Sequence, residues 1–228
     1  MKHEHHVVQS PATPPQQLFL LFHGVGDNPV SMGQIGEFFA SAFPQALVIS
    51  IGSPHLIPSG LGLQWFSVEG VTEENRAERV AAEIPHFVEI VRYWQKQTGI
   101  APDATALVGF SQGAIMALEA AKAEAHLAGR IVAFSGRFAA LPEHAFDRTV
   151  VHLIHGSDDK VINVKHAEQA AESLRRNGSD YTIDIEPVGH GISEAMIDLA
   201  LERLRAYVPQ RYWDEALSGK RGEIIAFK

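Results

Sequence analysis

Gly109-Phe110-Ser111-Gln112-Gly113 decides how this chain reads. An apolar run, Ala104-Thr105-Ala106-Leu107-Val108, enters it. Ala114-Ile115-Met116-Ala117-Leu118-Glu119-Ala120, rich in helix formers, leaves it. A G-x-S-x-G stretch between strand and helix is the sequence form of a sharp turn that exposes a serine hydroxyl. Glycine suits both flanks because a Cβ there collides with the adjoining strand or helix. The turn sets Ser111 at the positive end of a helix, where a developing oxyanion is favoured. The plainer alternative is a glycine-rich turn with a serine near a helix start.

A serine hydroxyl is barely ionised near neutral pH, so as a nucleophile it needs a base, and the base needs an orienting carboxylate. Serine, acid, histidine is one chain order in which such triads occur. After Ser111 comes a second apolar run, Thr149-Val150-Val151-His152-Leu153-Ile154, ending in His155-Gly156-Ser157-Asp158-Asp159-Lys160. An acidic pair just past a buried strand lies where catalytic groups gather in open α/β sheets. A third run, Tyr181-Thr182-Ile183-Asp184-Ile185-Glu186, leads to Pro187-Val188-Gly189-His190-Gly191. His190 is the candidate base; its alternative is a surface-loop histidine. Upstream, Leu18-Phe19-Leu20-Leu21-Phe22 runs straight into His23-Gly24-Val25-Gly26-Asp27-Asn28. Glycines there let the backbone pass close to the top of the sheet and direct an N–H at a substrate oxygen. Gly-Asp and Asp-Asn also form ordinary turns. A second oxyanion donor is expected at the N–H of Gln112, the residue after the nucleophile.

Phe22-His23-Gly24-Val25-Gly26-Asp27, Gly109 to Ala114, His155 to Asp159 and Gly189-His190 together resemble the blocks of the carboxylesterase/phospholipase family of α/β-hydrolases, in its bacterial cytoplasmic esterase branch. That group includes acyl-protein thioesterases. Gln64-Trp65-Phe66-Ser67 resembles a fifth block that borders the substrate site. The resemblance runs from about residue 18 to 192 and implies an α/β-hydrolase fold. It also implies a catalytic triad of Ser111, Asp159 and His190, oxyanion donors at Val25 and Gln112, and substrate contacts from Leu63, Trp65 and Phe66. It implies no cofactor and no metal. Lys160 stands where the family often has proline after the triad acid, which leaves Asp158 as an alternative to Asp159.

The chain has 228 residues, 46% of them hydrophobic, which suits one domain, residues 1–228, with a sizeable core. Strand-like runs are read at 6–9, 18–22, 46–51, 105–108, 130–134, 150–154 and 181–185. Helices are read at 32–42, 73–97, 111–125, 164–177 and 193–207. Their alternation argues for a mostly parallel sheet with helices on both faces and no large cap domain. The short first strand, joined through Pro11, Pro14 and Pro15, is expected antiparallel at the sheet edge. A formal charge of −8 disfavours nucleic acid and anionic membrane surfaces as partners. No apolar run reaches a membrane span, and the stretch after Lys2 is too short for a signal sequence, so a cytoplasmic location is expected. Zero cysteines exclude disulfides and a cysteine nucleophile. His3, Glu4, His5 and His6 lack the spacing of a metal site. His155 is read as a loop-fixing residue rather than the base. Residues 56–63 are apolar and glycine-rich and read as a short lid or an acyl-pocket wall. Residues 211–228 are read as a short helix that frays.

The residues thus point to a serine carboxylesterase acting on small, short-chain acyl esters. The alternatives within hydrolases are a thioesterase or a lysophospholipase, and, from another class, a non-catalytic binding module on the same fold.

Overall fold

Five of the apolar runs become parallel strands in the middle of one sheet. The computed structural model describes residues 3–209. β1 (His5–Gln9), β2 (Gln17–Phe22), β3 (Ala46–Ile51), β6 (Thr105–Phe110), β7 (Arg130–Phe134), β8 (Val150–Gly156) and β9 (Tyr181–Glu186) form a seven-stranded sheet in the order β1-β3-β2-β6-β7-β8-β9. All neighbours run parallel except β1, which pairs antiparallel with β3 at the edge and slips register between Val7 and Gln9. A parallel sheet has to be covered on both faces, which is why its inner strands read as unbroken apolar runs rather than alternating ones.

The strand period sorts the side chains into two cores. Leu18, Leu20 and Phe22 of β2 face one way and pack with α2 (Glu73–Thr98), α3 (Gln112–Ala123) and α4 (Lys165–Asn177). Phe19 and Leu21 face the other way and pack with α1 (Pro29–Ala42) and α5 (Glu194–Ala206). Helices therefore lie on both faces, three against two. The carboxyl ends of β2, β6, β8 and β9 open onto the four loops in which the sequence places its candidate site.

Three details depart from the sequence reading. Helix α1 begins at Pro29, not near residue 32, because Asn28 caps it: its side chain accepts the N–H groups of Val30 and Ser31, and proline suits the first turn. Helix α3 begins at Gln112, since Ser111 itself has a non-helical backbone. The stretch 56–63, read as a short lid or an acyl-pocket wall, has a regular form the sequence does not announce. It is the turn of a small hairpin, β4 (His55–Leu56) with β5 (Leu63–Gln64), whose tip carries Leu61 at 89% exposure. The expected C-terminal helix at 211–228 lies outside the described residues. Among the described residues, no helix is long and apolar enough to cross a membrane.

Candidate active site

Ser111 sits at the tip of the turn from β6 to α3 with φ 51° and ψ −114°, a region that L-residues with a side chain rarely occupy. Such strain persists only where the surroundings impose it. Here they do so by close packing. The Ser111 N–H donates to the Phe134 carbonyl at 2.9 Å, tying the turn to β7. A Cβ on Gly113 would run into the carbonyl oxygen of Phe22, and one on Gly109 would lie 2.5 Å from the Ala114 backbone. Both positions therefore require glycine, as the sequence implied.

Two loops from the far side of the sheet converge on this turn. His190 Nε2 lies 3.0 Å from Ser111 Oγ, and its Nδ1 lies 2.7 Å from Asp159 Oδ2. The carboxylate can only accept from Nδ1, so Nε2 keeps its lone pair and faces the serine hydroxyl. Asp159 is 1% exposed and its other oxygen, Oδ1, accepts the N–H groups of Val161 and Ile162, each at 2.8 Å. Burial pulls the Asp159 pKa up, but the hydrogen bonds from His190, Ile162 and Val161 outweigh it and hold the carboxyl below its ordinary value. Asp158 is exposed, and its backbone N–H donates to the Val188 carbonyl. Of the two neighbouring acids, only Asp159 meets a histidine. His155, buried at the end of β8, donates from Nε2 to the Ile162 carbonyl at 2.7 Å and lies 3.4 Å from Asp159 Oδ2. It fixes the acid's loop, as expected, and is not the group facing Ser111.

The loop after β2 comes down beside this triad. A Cβ on Gly24 would lie 3.4 Å from Ser111 Cβ. The N–H of Gln112 is the first of helix α3 and so has no intrahelical acceptor. Neither it nor the Val25 N–H, the two groups expected as oxyanion donors, has a backbone acceptor among the described residues.

Leu63, Trp65 and Phe66, expected to contact substrate, are held against the loop after β2. Trp65 is 1% exposed, and Phe66 is also buried. The Trp65 indole N–H donates to the His23 carbonyl at 3.0 Å. Leu63 exchanges both backbone hydrogen bonds with the loop after β2, accepting from Gly26 at 2.8 Å and donating to Asp27 at 2.9 Å. These residues brace the loop after β2, and the large indole is better buried against the sheet than solvated. Sequence reasoning missed the clamp that holds them. The Gln112 side chain accepts the Trp65 N–H at 2.6 Å through Oε1 and donates to the Phe66 carbonyl at 2.7 Å through Nε2. It also missed Ser135, at φ 48°, whose hydroxyl donates to the Gly191 carbonyl at 3.2 Å and steadies the loop of His190. Nothing in the local sequence distinguishes either contact, since each partner lies more than 40 residues away.

A profile of the phospholipase/carboxylesterase family matches residues 3–208. The chain is 57% identical over 220 residues to Esterase YpfH of Escherichia coli strain K12, covering 96% of this chain and 95% of that one. It is 28% identical over 215 residues to acyl-protein thioesterase 1 of Eremothecium gossypii, covering 86% and 89%. Among solved structures, esterase PE8 superposes with a TM-score of 0.79 at 28% identity, over 90% of this chain and 98% of that one. The Bacillus cereus carboxylesterase superposes with a TM-score of 0.75 over 94% of each chain, and at 19% identity it speaks for the fold alone. With the fold, the serine turn and the family profile in agreement over almost its whole described length, the chain belongs to the phospholipase/carboxylesterase family of α/β-hydrolases.

Proposed function

We propose that this protein hydrolyses short-chain carboxylic esters through an acyl-enzyme on Ser111, with His190 as general base and acid and Asp159 as its orienting carboxylate. The observation that carries the reading is the unbroken line of hydrogen bonds from Ser111 Oγ through His190 to the buried Asp159, 3.0 Å and then 2.7 Å long. In the first half-reaction Ser111 Oγ attacks the ester carbonyl carbon and its proton passes to His190 Nε2. The carbonyl oxygen becomes an oxyanion that accepts from the N–H groups of Val25 and Gln112. The C–O bond to the alcohol then breaks, and His190 returns the proton to the departing alkoxide. In the second half-reaction His190 takes a proton from water, which attacks the acyl carbon. Collapse of that intermediate releases the carboxylic acid and restores the Ser111 hydroxyl. Asp159 accepts from His190 Nδ1 throughout and stays ionised.

The substrate in this reading is a small acyl ester, without a cofactor, a metal or a nucleic-acid partner, and the place of action is the cytoplasm. A net charge of −8 and the lack of any cysteine support those choices. A thioester substrate is the second reading, because a relative at 28% identity carries the name acyl-protein thioesterase. A panel of p-nitrophenyl esters with acyl chains from two to sixteen carbons, beside matching acyl thioesters, tests both. Peak kcat/KM at two to six carbons, abolished by a serine-directed phosphonate, is the expected result. A peak on thioesters favours the second reading, and a peak at long acyl chains favours a lysophospholipase. No turnover on any substrate, with no phosphonate adduct, contradicts both and leaves the binding module.

A further inference from the structure

We propose that His23 is a positioning residue: locked in its Nδ1–H tautomer, it fixes the peptide plane that carries the Val25 N–H and so sets the aim of one oxyanion donor. The inference rests on the reading of Val25 as a donor. His23 directly follows β2 and is fully buried. Its Nε2 lies 3.1 Å from the backbone N–H of Ser53, a group that can only donate, so Nε2 bears the lone pair. The ring proton of a neutral imidazole then sits on Nδ1, which lies 2.7 Å from the Gly24 carbonyl oxygen, a group that can only accept. The two contacts demand the same tautomer. Burial works in the same direction, lowering the His23 pKa against the opposing pull of the Gly24 carbonyl, Asp27 and Glu4, and so favours the neutral ring.

The Gly24 carbonyl and the Val25 N–H belong to one peptide unit. That unit is planar and trans, so its C=O and N–H point in opposite directions. A carbonyl anchored inward on His23 therefore turns the N–H outward. The peptide before it is held as well, since the His23 carbonyl accepts the Trp65 indole N–H. Apart from the ring, the Gly24 carbonyl accepts, among the described residues, only the Asp27 N–H, at 3.4 Å. Without His23 the Gly24–Val25 peptide loses its short anchor. Rotation of that peptide would set a carbonyl oxygen where a donor is needed, beside a developing negative charge.

Two substitutions separate the ring's contacts. An asparagine amide reaches about as far as Nδ1 and keeps a donor for Gly24, whereas a glutamine amide reaches about as far as Nε2 and keeps an acceptor for Ser53. His23→Gln is expected to lower kcat by roughly 10²-fold, the weight of one oxyanion donor, with KM within about threefold of wild type. A trifluoromethyl ketone, whose adduct with Ser111 places an oxyanion in the hole, should bind His23→Gln more weakly by a similar factor. His23→Asn should keep kcat within about fivefold, whatever either variant loses in melting temperature. Wild-type kcat in His23→Gln, or equal kcat losses in both variants that follow their melting temperatures, overturns the proposal. Val25→Pro, which removes the N–H outright, distinguishes the underlying reading. A folded Val25→Pro at full kcat defeats the donor assignment and this proposal with it. An impaired Val25→Pro beside an unimpaired His23→Gln defeats this proposal alone.

Discussion

Each oxygen of Asp159 has its own work. Oδ1 holds the turn at 159–162 through two backbone N–H groups, and Oδ2 holds His190. Asparagine at this position can keep the first duty but, presenting an N–H to His190, favours the wrong imidazole tautomer. Asp159→Asn is therefore predicted to stay folded and to lose roughly 10⁴-fold in kcat, while Asp158→Asn, at an exposed carboxyl, stays within about twofold. Loss of activity in Asp158→Asn with Asp159→Asn unharmed would reverse the assignment. Gln112 shows how a backbone role hides a side-chain role. Its N–H flanks Ser111, yet its buried amide also clamps Trp65 and Phe66. Truncation leaves a buried N–H and a buried C=O without partners, at about 1–3 kcal/mol each. Gln112→Ala is thus predicted to unfold at lower urea concentration, with stability lower by about 2–6 kcal/mol, and to lose activity as the brace on the loop after β2 loosens. Unchanged stability would mean that the clamp carries no weight.

At the scale of elements, polar contacts tie loops together beside the core packing of Trp65, Phe66 and Phe138. Glu73, in the first turn of α2, takes a bidentate pair from Arg137 in the loop after β7, at 3.0 and 2.8 Å, and a further bond from Arg76. The hydrogen bonds from Arg137, then those from Arg76, bring the Glu73 pKa from 4.5 down to about 2 against its partial burial. A depressed carboxylate pKa means that the pair's contribution is complete above pH 4.5 and is lost as pH falls towards about 2. The Glu73 side chain is well exposed, so solvent screening limits that contribution to under about 1 kcal/mol. Glu73→Gln is predicted to cost no more than this at pH 7, to cost less in 1 M salt, and to cost nothing at pH 2. Denaturant unfolding at the two pH values checks the sign. A larger difference at pH 2 than at pH 7 would refute it.

Elements differ in how far the sequence announces them. The parallel strands β2, β6, β7 and β8 are legible because burial on both faces demands uninterrupted apolar runs. Edge strand β1 is legible as polar-flanked and short. The hairpin of β4 and β5 is not, since two-residue strands have no period. Its order comes instead from Leu63 pairing with Gly26 and Asp27, more than 30 residues upstream. The start of α1 is legible in Asn28-Pro29, a cap and a first-turn proline that the reading at 32–42 leaves unused.

Over the whole molecule, the same pattern separates what the sequence reveals about the site from what it hides. Ser111, Asp159 and His190 announce themselves because each follows a strand, a buried one for Ser111 and Asp159 and a half-buried one for His190, and sits beside glycine or acid pairs that suit tight loops. Their convergence is a consequence of topology: β6, β8 and β9 end on one edge of one sheet. The supporting contacts of His23, Gln112 and Ser135 depend on partners distant in the chain, and no local pattern marks them. The two cores on either face, built from alternate residues of the same strands, give the triad a rigid base without contributing to its chemistry.

The central claim is that Ser111 is the nucleophile of an acyl-transfer reaction. Mass spectrometry of the protein digested after reaction with a fluorophosphonate, read beside ester turnover on the same sample, tests it most directly. One adduct per chain is expected on the peptide containing Ser111, with turnover falling in proportion to labelling, and neither label nor more than roughly 10⁻³ of wild-type turnover in Ser111→Ala. An adduct on another serine, or ester hydrolysis that survives Ser111→Ala, would contradict it.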